Sequence, residues 1–138
     1  MDLNLIGALM LPDASPLIQG AVLLFAFLIG HALADFPLQG QFLAVGKDRG
    51  GDLGGITGTS WPPGMWAYCL TMHSLIHAGA VWFISGSVVL GLVEFVLHWF
   101  IDKAKSANLT GFYTDQILHA LCKIGYVVVL CFLGWSLI

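Results

Sequence analysis

The chain has 138 residues, of which 58% are hydrophobic and only 9% charged, with a formal net charge of −3. Soluble domains carry about 25% charged residues, so this composition excludes an ordinary soluble globule and predicts an integral membrane protein. The weak charge offers no footprint for nucleic acid, and one compact helical domain, 1–138, fits the length and a mean hydropathy of +0.87.

Met1–Met10 contains Asp2 but no Lys or Arg, the first basic residue being Lys47, so no cleaved leader is expected. Leu3–Leu11 is too short to span and suits the membrane interface. Four spans follow, at about Leu17–Leu38, Met65–Ile84, Val88–Lys105 and Tyr113–Ile138. Each approaches the ~20 residues needed to cross a hydrocarbon core. Pro37 terminates the first, and Ser85-Gly86-Ser87 turns the second into the third as an antiparallel hairpin. The third is interrupted by Glu94, His98 and Asp102. Trp61, Trp66, Trp99, Tyr113 and Trp135 fall near span ends, where amphipathic rings favour the headgroup zone. The long connection Gln39–Gly64 is glycine-rich without a phosphate-binding signature, and reads as a flexible tether, with a lid over a site as the alternative. Cys69, Cys122 and Cys131 have no C-x-x-C spacing and read as small core hydrophobes.

Lys47 and Arg49 lie in the first connection, and Lys103 and Lys105 end the third span. The positive-inside rule puts both regions in the cytoplasm and both termini outside it.

Nine ionisable side chains interrupt the apolar spans: His31 and Asp35, His73 and His77, Glu94, His98 and Asp102, Asp115 and His119. All have i,i+4 spacing, which stacks side chains on one helix face. A charge at bilayer depth costs at least ~2.5–3.5 kcal/mol, so such residues point to function. Counted from the cytoplasmic span ends, Asp35, Asp102 and Asp115 lie roughly 5 Å deep. His31, His73, His98 and His119 lie roughly 10–12 Å deep, and His77, Glu94 and Lys123 near ~17 Å. The fourth span runs Asp-x3-His, reversed as its antiparallel direction requires. The expected fold is therefore an all-α four-helix bundle with an inward polar cluster.

Imidazoles and carboxylates converging from several helices are the ingredients of a metal site. His31, Asp35, His73, His77, Glu94, His98, Asp102, Asp115 and His119 are the candidate ligands. The set suits one or two divalent transition-metal ions, with some carboxylates orienting imidazoles instead. Mixed N/O donors favour Zn, Mn or Fe. An interhelical hydrogen-bond network without metal is the plainer alternative.

The ordered set His31-x3-Asp35-Phe36-Pro37-Leu38-Gln39, Lys47, His73-x3-His77, Glu94-x3-His98-x3-Asp102 with Lys105, and Asp115-Gln116-x2-His119 with Lys123 resembles an uncharacterised family. It is a domain-of-unknown-function family of small integral membrane proteins from bacteria and phages, matched from about Phe25 to Tyr126. The chain is also loosely similar, in composition and architecture, to membrane-bound metal-dependent hydrolases. The resemblance adds Gln39, Lys47, Lys105 and Gln116 as candidate substrate-binding residues.

The leading functional expectation is a metal-dependent hydrolase acting on an amphipathic substrate at the cytoplasmic leaflet. Asp35, Asp102 and Asp115 are the candidate general bases, and Lys123, with Lys47 and Lys105, the candidate for developing negative charge. A di-iron membrane oxidase needs the same ligand types. Metal binding or transport without catalysis is a further class, though the apolar outer halves of the helices argue against a pore in the monomer. The lipid bilayer is the expected partner, and the sequence leaves room for a homo-oligomer.

Overall fold

The computed structural model describes residues 13–132. Leu3–Leu11 and the last residues of the fourth expected span, 133–138, lie outside them. Six α-helices and no strands occur among the described residues: α1 (Pro16–Asp35), α2 (Gly40–Gly46), α3 (Leu53–Thr57), α4 (Met65–Ser85), α5 (Val88–Ser106) and α6 (Phe112–Phe132).

Local chemistry explains the boundaries. Pro16 opens α1, where its missing N–H is harmless, and Ser15 Oγ accepts from the Ile18 N–H at 3.5 Å. The helix stops at Asp35, earlier than the expected Leu38: the Phe36 N–H still reaches the Ala32 carbonyl, but Pro37 has no N–H to continue the ladder, and the Leu38 N–H takes the Leu33 carbonyl instead at 3.1 Å. Gly86, at φ 70°, ends α4 in the left-handed region that only glycine enters without strain. Ser87 then caps α5 by accepting from the Leu90 N–H at 3.3 Å. Lys103 and Lys105 in the last turn of α5, and Asp115 in the first turn of α6, complement the two helix dipoles.

The long helices pack in a closed cycle: α1 on α4 and α6, and α5 on α4 and α6. Three of them, α1, α4 and α6, are long and apolar enough to cross a membrane. The expected count of four spans is not matched, because the 19 residues of α5 carry Glu94, Asp102, Lys103 and Lys105. Large apolar side chains such as Phe25, Phe83, Leu92, Phe100 and Leu121 are exposed on the long helices' outer faces.

Gln39–Gly64 is more structured than a flexible tether. It contains α2, packed on α4, and α3, packed on α2. Buried Gly46 makes the first contact possible, since a Cβ there would lie 2.6 Å from Cys69 Sγ. Asp52 caps α3 by accepting from the Gly55 N–H at 2.8 Å.

The interior has two halves. Leu23, Phe27, Val81, Ile84, Leu90, Tyr126 and Val127 form an apolar core near the Ser85–Ser87 turn. Towards the other end, buried imidazoles and carboxylates fill the space between the same four helices.

Candidate metal centre

Asp35 and Asp102 organise the cluster. Asp35 Oδ1 lies 3.1 Å from His77 Nε2 and 3.5 Å from His73 Nε2, while its Oδ2 lies 3.2 Å from His31 Nε2. Asp102 Oδ1 lies 3.2 Å from His119 Nε2, and its Oδ2 lies 3.4 Å from His73 Nε2 and 3.8 Å from His98 Nε2. All five histidines thus direct Nε2 towards one of two carboxylates. The rings crowd together: His77 and His98 stack at 3.6 Å between centroids, and His98 and His119 at 4.1 Å.

Two groups are arranged so that they could hold a metal ion: Asp35, His73, His77 and His98, and then His98, Asp102 and His119. His98 belongs to both. Within each group the donor atoms lie within 4.8 Å of one another. His73 Nε2 and His98 Nε2 are 3.2 Å apart. Two nitrogens on one tetrahedral ion, each about 2.0–2.1 Å from it, would stand about 3.3–3.4 Å from each other. The donor set therefore fits an ion in both chemistry and spacing. His73 Nδ1, His119 Nδ1 and both ring nitrogens of His31 are buried without a hydrogen-bond partner.

The remaining candidate ligands have other partners. Glu94 Oε1 faces His98 Nδ1 at 3.2 Å, and a proton held there leaves the Nε2 lone pair free for a metal. The same carboxylate accepts from Lys123 Nζ through Oε1 and from Tyr126 Oη at 2.8 Å through Oε2. Asp115 accepts from Lys105 Nζ at 2.9 Å and Gln116 Nε2 at 3.2 Å, and lies 3.6 Å from His119 Nε2. Its Oδ1 has no hydrogen-bond partner.

His77 departs from the expected layering. Instead of lying deep beside Glu94, it joins the other imidazoles and reaches Asp35. The cause is helix direction: side chains tilt towards their own helix N-terminus. In α4 that tilt lifts His77 towards the Asp35 end, whereas in the antiparallel α1 and α5 it lowers His31 and His98 to meet it.

Beside the cluster a cavity of about 310 Å³ is lined by Asp35, Gln39, Lys47, Asp102, Lys105 and Gln116, with Ser106, Asp48 and the rings of Phe36 and Phe112. Lys47, the residue that caps α2, donates to Asp102 Oδ2 at 2.6 Å and to Gln39 Oε1 at 3.1 Å. Ser106 Oγ donates to the Lys47 carbonyl at 3.4 Å. Lys123 does not line this cavity; it is buried against Glu94. Tyr126 and Ser106 were not anticipated. Tyr126 was readable, since it extends the Asp115, His119, Lys123 stripe by three residues onto the same face.

No curated protein and no solved structure matches the chain. A family match covers residues 23–137, most of its length. The chain belongs to the family described as protein of unknown function, DUF3307.

Proposed function

We propose that this protein is a membrane-embedded metal-dependent hydrolase of the bacterial inner membrane. In this reading α5 crosses together with α1, α4 and α6, its ionisable groups turned inward, so that four helices span the bilayer. The end bearing Lys47, Arg49, Lys103 and Lys105 faces the cytoplasm, and both termini lie outside it. The carrying observation is that five imidazoles converge on two carboxylates, Asp102 buried and Asp35 half-buried, beside a polar cavity.

The ligands are His73, His77 and His98 with Asp35, and His98 and His119 with Asp102, holding one or two Zn, Mn or Fe ions; His98, with one free lone pair at Nε2, serves one ion only. A divalent ion there supplies Lewis acidity and an activated nucleophile near neutral pH. The chain's own groups do the rest. Glu94 holds His98 in the ligating tautomer. Asp115, outside both ligand groups and with an Oδ1 that faces His119 Nε2 at 3.6 Å without a hydrogen bond, is the proton acceptor. The substrate is amphipathic, with its polar head in the cavity and its apolar part along Phe36 and Phe112 towards lipid.

The test uses detergent-purified protein, elemental analysis, and nitrophenyl phosphate and carboxylate esters as probes. One or two transition-metal ions per chain and a chelator-sensitive hydrolysis restored by metal are expected. Asp102→Asn should abolish turnover while the protein stays folded. A folded protein that carries no metal and ignores chelator would leave only an interhelical hydrogen-bond network. Cysteine-accessibility mapping in cells tests the orientation: labelling of the 39–64 connection from outside would overturn it.

A further inference from the structure

The geometry points to a metal-conditional phosphate site in the 310 Å³ cavity, with Lys47 as the group that changes partner when metal binds. This inference rests on the metal reading above and narrows the substrate to one bearing a phosphate head.

The donors suit a tetrahedral oxyanion. Two ammonium groups, Lys47 and Lys105, two carboxamides, Gln39 and Gln116, and the Ser106 hydroxyl share the wall. A phosphate offers several strong acceptor oxygens to such a set, and lysine binds it as a point charge. Both ammonium groups are already engaged, Lys47 by Asp102 and Lys105 by Asp115. Those two cations face four carboxylates, Asp35, Asp48 and Asp102 in the lining and Asp115 against Lys105. Two net negative charges result, which repel an anion.

Metal held in the Asp35 group and in the Asp102 group offsets that charge and, with two divalent ions, reverses its sign. It also competes for the oxygen Lys47 now holds, because Asp102 Oδ2 faces Lys47 on one side and His73 and His98 on the other. Once the Asp102 charge is neutralised by metal, the Lys47 ammonium gains more from a phosphate in the cavity than from its former partner. Gln39, already bonded to Lys47 Nζ, keeps the ammonium at the wall. The exposed rings of Phe36 and Phe112 give the same cavity an apolar side for an attached chain.

The experiment takes the full-length protein in detergent, measures its metal content, and titrates it calorimetrically with inorganic phosphate and with dodecyl phosphate. Both should bind the metal-loaded protein and neither the chelator-stripped protein. Tighter binding of dodecyl phosphate supports a lipid head group, and equal binding a soluble phosphate. Lys47→Gln and Lys105→Gln, with metal content unchanged as the folding control, should each weaken binding about tenfold, the worth of one charge-assisted hydrogen bond. Equal binding with and without metal, or full affinity in both variants, would overturn the inference. A metal-loaded protein that binds neither probe overturns this site alone. A protein that takes up no metal overturns the metal centre as well.

Discussion

The two halves of the interior are built from the same four long helices but held together by different physics. Near the Ser85–Ser87 turn, Leu23, Phe27, Val81 and Ile84 pack without a polar atom among their side chains. A helix turn or two away, His73, His77, His98, Asp102, Asp115, His119, Glu94 and Lys123 are just as buried. Dispersion holds the first half, where each contact is weak and many are needed. Directional bonds and charge hold the second, where removing one partner strands another. Tyr126 joins them: its ring packs edge-on to Phe27 at 6.0 Å, and its hydroxyl donates to Glu94. A replacement in the polar half should therefore change what the protein binds, and one in the apolar half only how firmly it folds.

The largest effect should come from His98→Ala. His98 belongs to both ligand groups, so metal content measured on purified protein should fall to background. Retention of a full complement would break the comparison, since the polar half would then be structural only. Lys123→Met comes next. It leaves Glu94 charged, buried and short of its main partner, a loss of about 3–5 kcal/mol. Pairing it with Glu94→Leu should restore much of the thermal stability but not the metal affinity, because His98 loses the carboxylate at its Nδ1.

Phe27→Ala in the apolar half should cost about 3 kcal/mol, the low end for a buried aromatic. In the membrane-embedded reading lipid replaces water around these helices, so packing rather than hydrophobic transfer carries the loss. Metal bound per folded chain should not change, and a drop would mean the halves are not separable. The smallest effect is expected from Tyr126→Phe, about 1 kcal/mol, with metal affinity lowered less than tenfold. Comparing its thermal midpoint with its metal isotherm shows which half the tyrosine serves more.

The polar half was legible in the sequence because i,i+4 spacing and charge within apolar runs are strong signals. Glu94, His98 and Asp102 do share one face of α5, and Asp115, His119 and Lys123 one face of α6, all six buried. The depth of His77 was not legible by counting residues, because counting ignores the tilt of side chains along antiparallel helices. The inner structure of Gln39–Gly64 was hidden for another reason. Helices of 7 and 5 residues are too short to show a periodicity, and α2 owes its place to packing on α4. The number of spans depends on α5, where inward charges lower the apparent hydropathy of a helix whose outer face exposes Leu92, Val96 and Phe100.

The contact at Gly46 makes the position of α2 chemically addressable. A side chain at 46 would begin 2.6 Å from Cys69 Sγ, inside van der Waals contact, so one side of the contact would have to shift. Gly46→Cys, oxidised against the native thiol of Cys69, would staple the short helix to its neighbour once the Cys69 side chain or α2 gives way by a few tenths of an ångström. Since Lys47 is the next residue, such a staple would hold the cavity's edge in place, and a reducing agent would release it. A ligand that needs that edge to move would bind only after reduction, whereas one that enters a preformed wall would not sense the staple.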